Sequence, residues 1–356
     1  RARSSDGMLD LLSSVHTAEE KVSVLRQLAM LTPRSIAMET QAEAVRRDAR
    51  FADAMETLDL STLPGQKVVD FAWAAAILRA DTPRVDEIAD SLESHAPSLP
   101  IVAAAEAVWA LDVLFSRAAS EQEACSKSAA ASATQAHVLR ARALRAPWRV
   151  HVGACSGAAD CAAVRAELRD VLKRDVIESG SALPSAKQVV EARETAWLSE
   201  VGAPFRYSGK EMVGGVFTPS VGKLHAAVEA SVGRSYDSVL VNVYPDGESA
   251  MRFHADPGQG EEWGYSTCVV SLGDTRLFTF RKTEAKAERC TVAVREGDVL
   301  EMYADCQQQW QHSVRKEAQP DHAVPRVSLV FKRTLQYEKQ RLEDGERPDW
   351  NEALSR

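Results

Sequence analysis

From residue 238 to residue 332 the chain is written in short apolar runs rich in β-branched residues. They occupy 238–244, 267–272, 276–280, 290–294, 298–303 and 326–332. Each is too short for a helix of ordinary length and carries the residue types that sit well on a pleated, half-buried surface. Gly273-Asp274 and Glu296-Gly297-Asp298 supply turns between neighbouring runs. Many short strands joined by glycine turns predict two packed antiparallel sheets closed as a jelly roll, also called a double-stranded β-helix. Such a barrel has a mouth at which strands from both sheets converge.

Polar residues are placed where that mouth would be. His254 and Asp256 stand two apart, so on an extended segment both side chains project to one side. His312 follows almost sixty residues later and reaches them only from a strand folded back beside them. Two histidines and one carboxylate form the facial triad that holds Fe(II) on one side and leaves the opposite positions open to a co-substrate and O₂. Arg326 adds a rigid guanidinium fork suited to a dicarboxylate such as 2-oxoglutarate.

The composition narrows the function classes. The chain has 356 residues, 26% of them charged and 45% hydrophobic, which is ordinary for a globular protein of two domains, or of one domain with a large extension. A formal net charge of −8 argues against binding nucleic acid through a broad basic surface, though not against a local basic groove. The six cysteines show no CxxC spacing, so neither a zinc site nor a disulfide framework is expected; Cys155 and Cys161 read as free thiols of a reducing compartment. No run of about eighteen apolar residues predicts a membrane-spanning helix. The chain opens on Arg1 and not on Met, from which a missing natural N-terminus and targeting segment are expected. An intracellular protein fits this reading, with nucleus, cytoplasm and organelle left open.

Residues 1–117 follow a different period. Apolar residues recur at helical spacing, and Thr17-Ala18-Glu19-Glu20 has the form of a capping box. Leu63-Pro64, Trp73-Ala74 and Leu78 recur thirty-six residues later as Leu99-Pro100, Trp109-Ala110 and Leu114, which predicts stacked helix pairs, an all-α helical-repeat region. The pattern resembles the tryptophan-containing repeats of organellar RNA-binding proteins; a plain helical bundle with Trp73 and Trp109 in its core satisfies it equally. Residues 118–146 are expected to be a linker, 147–335 a catalytic domain and 336–356 a charged tail. Arg140, Arg142, Arg145 and Arg149 are either phosphate contacts or a solvated helix face. Amphipathic helices are expected at 162–177 and 222–232.

The order of the motifs resembles the AlkB family of Fe(II)- and 2-oxoglutarate-dependent dioxygenases over residues 147–335. The pieces are Arg193 with Ala196-Trp197, Tyr207-Ser208-Gly209, Asn242-Val243-Tyr244, Phe253-His254 with Asp256, Trp310-Gln311-His312 and Pro325 to Phe331. The resemblance implies His254, Asp256 and His312 as iron ligands. It also implies Asn242, Tyr244, Arg326, Ser328 and Lys332 around 2-oxoglutarate, and Trp197, Tyr207 and Phe253 toward the substrate. It further implies removal of an N-methyl group from a base of DNA or RNA, turned out of its strand onto aromatic side chains. Oxidation of a protein side chain or a lipid at the same site, and an RNA-binding repeat protein with a degenerate oxygenase domain, are the rival readings. Two departures stand out. Lys332 occupies the place of the family's second arginine, with Arg333 expected on the opposite face of its strand. Pro257-Gly258 replaces an acidic residue of members that take cationic bases, for which Glu261 or Glu262 is the candidate substitute.

Overall fold

The computed structural model describes residues 4–121, 136–179, 187–317 and 324–345. The chain divides into two compact units, one of residues 1–146 with 288–293, the other of 147–287 with 294–356.

The first unit is helical: α1 (Ser5–Ser14), α2 (Ala18–Leu31), α3 (Glu39–Arg47), α4 (Ala49–Thr57), α5 (Gly65–Leu78), α6 (Val85–His95), α7 (Ile101–Glu121) and α8 (His137–Ala143). Thr17 caps α2 as its sequence predicts: its Oγ1 accepts the Glu20 N–H, and Glu20 returns its carboxylate to the Thr17 N–H. The thirty-six-residue repeat falls on α5 and α7, which pack on each other with Pro64 and Pro100 just ahead of them. Trp73 and Trp109 are 0% and 2% exposed, so both are core residues. Trp73 Nε1 donates to the Thr291 carbonyl at 2.6 Å, and Glu106 Oε1 accepts the Thr291 N–H at 2.8 Å. Arg26 lies over the Trp73 ring at 4.3 Å and ion-pairs with Asp70 at 3.0 Å and Glu106 at 3.2 Å. Buried charge in this unit is thus matched by partners inside it.

Of the expected linker, 122–135 lies outside the described residues. The arginine run after it is partly taken up by protein groups: Arg140 ion-pairs with Asp112 at 2.7 Å, Arg142 Nε donates to the Leu99 carbonyl, and Arg149 lies over the Tyr303 ring at 5.4 Å. Arg140 and Arg142 are thus engaged by protein groups, while Arg145 and Arg149 are exposed.

The second unit holds the sheets. Its strands are β1 (Trp148–His151), β2 (Val176–Ser179), β3 (Lys187–Val190), β4 (Glu194–Ser199), β5 (Phe205–Tyr207), β6 (Lys210–Met212), β7 (Ser238–Tyr244), β8 (Met251–His254), β9 (Trp263–Gly273) and β10 (Arg276–Lys282). After β11 (Arg289–Val294), whose residues 289–293 belong to the helical unit, come β12 (Val299–Met302), β13 (Trp310–Val314) and β14 (Arg326–Thr334). The large antiparallel sheet runs β1-β12-β9-β14-β7-β4, and within this unit the small sheet runs β10-β13-β8. Ring stacking joins the sheets, with Trp148 of β1 4.2 Å from Phe280 of β10.

Helices α9 (Cys161–Glu167) and α10 (Pro219–Val232) cover one face of the large sheet. Val164, Leu168, Val221, Leu224 and Val228 pack there on Val239, Val241 and Val243 of β7 and on Val327, Leu329 and Phe331 of β14. With a side-chain period of two, the alternate residues of the same strands face the other way, toward the small sheet. Registers Arg326↔Tyr244 and Ser328↔Asn242 set these polar residues side by side. Burying one apolar stripe against helices thereby decides where the polar stripe goes.

The helix expected over 162–177 ends instead at Glu167, and Val176-Ile177 pair as a strand with Val189-Val190. Their β-branched side chains favour the ladder over a continued helix. The Tyr207-Ser208-Gly209 motif is a hairpin turn between β5 and β6. Ser208 (φ 48°) and Gly209 (φ 75°) both lie in the left-handed region that a two-residue loop requires. Behind it, Gly214 crosses Trp197 so closely that a Cβ would sit 1.8 Å from the Trp197 oxygen. Residues 336–343 of the expected tail belong to α12 (Leu335–Glu343); 346–356 lie outside the described residues. The five described cysteines are free thiols. Among the described residues no helix is long and apolar enough to cross a membrane.

Candidate metal and co-substrate site

His254 ends β8, and His312 lies opposite it on β13 in direct register. Asp256 follows β8 by two residues, its backbone N–H held by Gln307 Oε1 at 2.8 Å from the short helix α11 (Cys306–Gln309). One donor atom from each of the three lies within 4.8 Å of the others, and Asp256 Oδ1 is 3.6 Å from Nε2 of both histidines. His254 Nδ1 bonds the Arg252 carbonyl at 2.9 Å. A carbonyl only accepts, so Nδ1 carries the proton and the Nε2 lone pair faces Asp256. Burial pushes His312 down to about 3, with His254 adding to the shift, so its imidazole is neutral at pH 7. Burial by itself would raise the Asp256 carboxyl, but Lys332, His312 and His254 outweigh it and hold the group well below the usual carboxylate range. Two imidazoles, that of His312 held neutral, and an ionised carboxylate, converging in this way, are the donor set a divalent transition metal requires.

The polar stripe of the large sheet lies beside these donors. Arg326 is fully buried and gives Nη2 to Ser271 Oγ at 2.9 Å. Its Nε and Nη1 meet no acceptor in hydrogen-bond geometry. The Tyr244 ring centre is 5.2 Å from the guanidinium carbon. Burial lowers Arg326 to about 10, opposed by the Tyr244 hydroxyl, so it remains a cation at neutral pH. A buried guanidinium with open donors costs several kcal/mol unless an anion completes it. That open fork is the feature of the chain that fits a bound carboxylate. Asn242 is 3% exposed; its Oδ1 accepts from Arg193 Nε at 2.7 Å, and its Nδ2 points to Ser328 Oγ at 3.5 Å.

Lys332 departs from its expected neighbours. It is 2% exposed, and its Nζ lies 2.7 Å from Asp256 Oδ2, the carboxylate oxygen turned away from the histidines. Sharing a face with Arg326, it neutralises the carboxylate as a point charge. Arg333 is also buried, and the register of β14 with β9 shifts between Lys332 and Thr334, so simple alternation does not hold at this position.

The three residues expected toward the substrate separate. Trp197 is 3% exposed, stacked on Phe205 at 4.7 Å, edge-on to Trp263 at 5.3 Å, and bonded to the Ala203 carbonyl. It supports the β5–β6 hairpin from beneath instead of presenting an open face. Tyr207, half-buried, commits its hydroxyl to Glu191. Phe253 lies under Arg281, whose guanidinium carbon is 3.9 Å from its ring centre, on a strand whose pairing with β13 shifts register between Met251 and His254. Glu261 and Glu262 are both exposed, so neither supplies a buried charge in place of Pro257-Gly258. Sequence reasoning missed Glu191, Gln307 and Lys210, which carry no motif and matter only through their partners.

With this geometry in view, comparison with known proteins is specific. The profile of the 2OG-Fe(II) oxygenase superfamily matches residues 158–343, just over half of the chain. The chain belongs to that superfamily and is a 2-oxoglutarate-dependent dioxygenase of the AlkB-like kind. It is 33% identical over 149 residues to an uncharacterized protein of Acanthamoeba polyphaga mimivirus, covering 42% of this chain and 76% of that protein. It is 30% identical over 155 residues to the alpha-ketoglutarate-dependent dioxygenase alkB homolog 3 of Mus musculus, covering 40% of this chain and 51% of that one. Against the DNA oxidative demethylase ALKBH2 of Bos taurus the identity is 26% over 152 residues, 40% of this chain and 53% of that one. The chain thus spans about half the length of the AlkB homologues it matches.

Proposed function

We propose that this dioxygenase removes N-methyl groups from a nucleobase in DNA or RNA, using Fe(II) held by His254, Asp256 and His312. The observation that carries the reading is the buried Arg326 fork with two open donors, sharing an interior with three converging metal donors. The two sheets are read as a double-stranded β-helix with this site at its mouth. Fe(II) and 2-oxoglutarate, when bound, would supply with O₂ the oxidation of a methyl carbon, which would leave as formaldehyde, with CO₂ and succinate as co-products.

The protein's own residues do the positioning. Arg326 would hold a carboxylate of 2-oxoglutarate, with Tyr244 beside it. Asn242 and Ser328 would offer it further polar groups from the same stripe. Lys332 holds Asp256 ionised and turned so that one oxygen remains for the metal. Gln307 fixes the Asp256 backbone, and Arg252 fixes the His254 ring through its carbonyl. The aromatic hairpin Phe205–Met212 stands as the substrate-side cover, with Trp197 and Trp263 as its floor. The name of one relative, the DNA oxidative demethylase ALKBH2, supports a nucleic acid as the polymer.

The test is 2-oxoglutarate turnover by anaerobically iron-loaded protein, read as succinate and formaldehyde, with methylated and unmethylated RNA and DNA oligomers. Formaldehyde that depends on a methylated oligomer supports the proposal and names the polymer. Succinate without formaldehyde on every methylated oligomer overturns the substrate and leaves the oxygenase in place. Absence of both metal and 2-oxoglutarate binding would return the chain to the degenerate, binding-module reading.

A further inference from the structure

Glu191, between β3 and β4, belongs to none of the motifs above, yet its side chain is fully buried. A buried carboxylate demands partners, and here every partner leads somewhere. Its Oε1 accepts the Tyr207 hydroxyl at 2.7 Å, and its Oε2 lies 3.2 Å from Lys210 Nζ. Tyr207 and Lys210 flank the turn of the β5–β6 hairpin, opposite each other across the ladder. Lys210 also binds Asp175 Oδ2 at 2.5 Å and Thr195 Oγ1 at 2.9 Å. On its other side Glu191 Oε1 pairs with Arg193 Nη2 at 3.4 Å, and Arg193 Nε donates to Asn242 Oδ1 at 2.7 Å. Arg193 Nη1 reaches Met251 Sδ at 3.6 Å at the start of β8, the strand that ends in His254.

The chemistry of these contacts has a direction. A guanidinium only donates, so Arg193 forces the Asn242 amide to turn its oxygen toward β4 and its Nδ2 donor toward Ser328. Arg193 is held in turn by Glu191, and Glu191 carries the hairpin. The polar chain from the substrate-side cover to the co-substrate stripe is therefore continuous: Tyr207 and Lys210, Glu191, Arg193, Asn242, Ser328. We propose that Glu191 is a positioning residue that couples the hairpin to the co-substrate pocket, so that seating the hairpin and binding 2-oxoglutarate favour one another. Asn242 presents its donor correctly only while Arg193 is held, and Arg193 is held correctly only while the hairpin supplies Tyr207 and Lys210 to share the carboxylate. Coupling of this kind is reciprocal: a ligand ordering Asn242 must stabilise the hairpin by the same factor as a seated hairpin tightens the ligand. The inference rests on the assignment of Asn242 to the co-substrate pocket.

The test uses the full chain with Mn(II) under anaerobic conditions, so that no turnover occurs. Calorimetry gives the Kd of 2-oxoglutarate, and amide hydrogen exchange follows residues 205–212 with and without it. In the wild type, 2-oxoglutarate is expected to slow exchange in 205–212 by about 5- to 10-fold. In Glu191→Gln that slowing disappears and Kd rises by a similar factor. Tyr207→Phe and Lys210→Met, which leave the carboxylate in place, each lose part of both effects; they carry the test if Glu191→Gln fails to fold. Wild-type protein that binds 2-oxoglutarate without slowing exchange in the hairpin overturns the coupling alone. So does a variant with weakened Kd and full hairpin protection, since a purely local role would give that result. Wild-type protein that binds no 2-oxoglutarate overturns the co-substrate assignment itself.

Discussion

One network in the helical unit and Arg326 in the sheet unit meet burial in opposite ways. In the helical unit Arg26, Asp70, Glu106 and Trp73 answer one another and the Thr291 backbone. In the sheet unit Arg326 is fully buried and keeps two donors open, while His254, Asp256 and His312 bring three metal-type donors together in the same unit. A satisfied buried network serves the fold, whereas an incomplete one preserved inside a packed barrel serves a ligand. The fold bears that incompleteness as a local destabilisation, which binding relieves.

Four expectations break or sharpen this contrast. The largest concerns the metal donors: His254→Ala, Asp256→Ala or His312→Ala should abolish succinate formation, with metal content checked by elemental analysis. Near-normal turnover by iron-containing Asp256→Ala would end the triad assignment. Next, Trp73→Ala removes a fully buried ring and a hydrogen bond from the satisfied network and should cost about 3–5 kcal/mol in denaturant unfolding of the helical unit. Arg326→Met should do the reverse, leaving stability unchanged or raised while weakening 2-oxoglutarate by roughly 10- to 150-fold, the worth of hydrogen bonds to a charged group. Loss of stability without loss of affinity would place Arg326 with the structural networks.

The smallest effect is a pH dependence. The folded-state pKa of His312, about 3, lies below its ordinary 6.5, so the unfolded chain binds more protons between those values. Stability of the metal-free protein should be complete above pH 6.5 and fall as pH drops, by about 2 kcal/mol at pH 5. His312→Phe should flatten that segment of the stability curve. Asp256, depressed instead, adds its loss only below its ordinary value of 3.8.

Much of this site was legible from spacing. A period of two put Arg326, Ser328 and Lys332 on one face of β14, and register with β7 completed the stripe. His254 and Asp256 were singled out by their spacing, although Asp256 lies beyond the end of β8 and is positioned by its backbone bond to Gln307. Lys332 was not: its place in the motif suggested a co-substrate contact, and only the approach of the loop after β8 shows that its charge meets Asp256. Trp197 carried an aromatic motif, yet Phe205 and Trp263 close over it from positions whose distance in sequence conceals their proximity.

Local chemistry, then, was settled by the sequence: which residues are donors, which face of a strand they share and where Thr17 caps a helix. These follow from backbone geometry over a few residues. Tertiary structure alone decided which of those groups are answered. Whether Arg326 finds an acceptor, whether Glu191 is exposed or shared among Tyr207, Lys210 and Arg193, and which oxygen of Asp256 is left for a metal depend on strands brought together across tens of residues. No local period records that information, because hydrogen-bond satisfaction belongs to the packed interior as a whole.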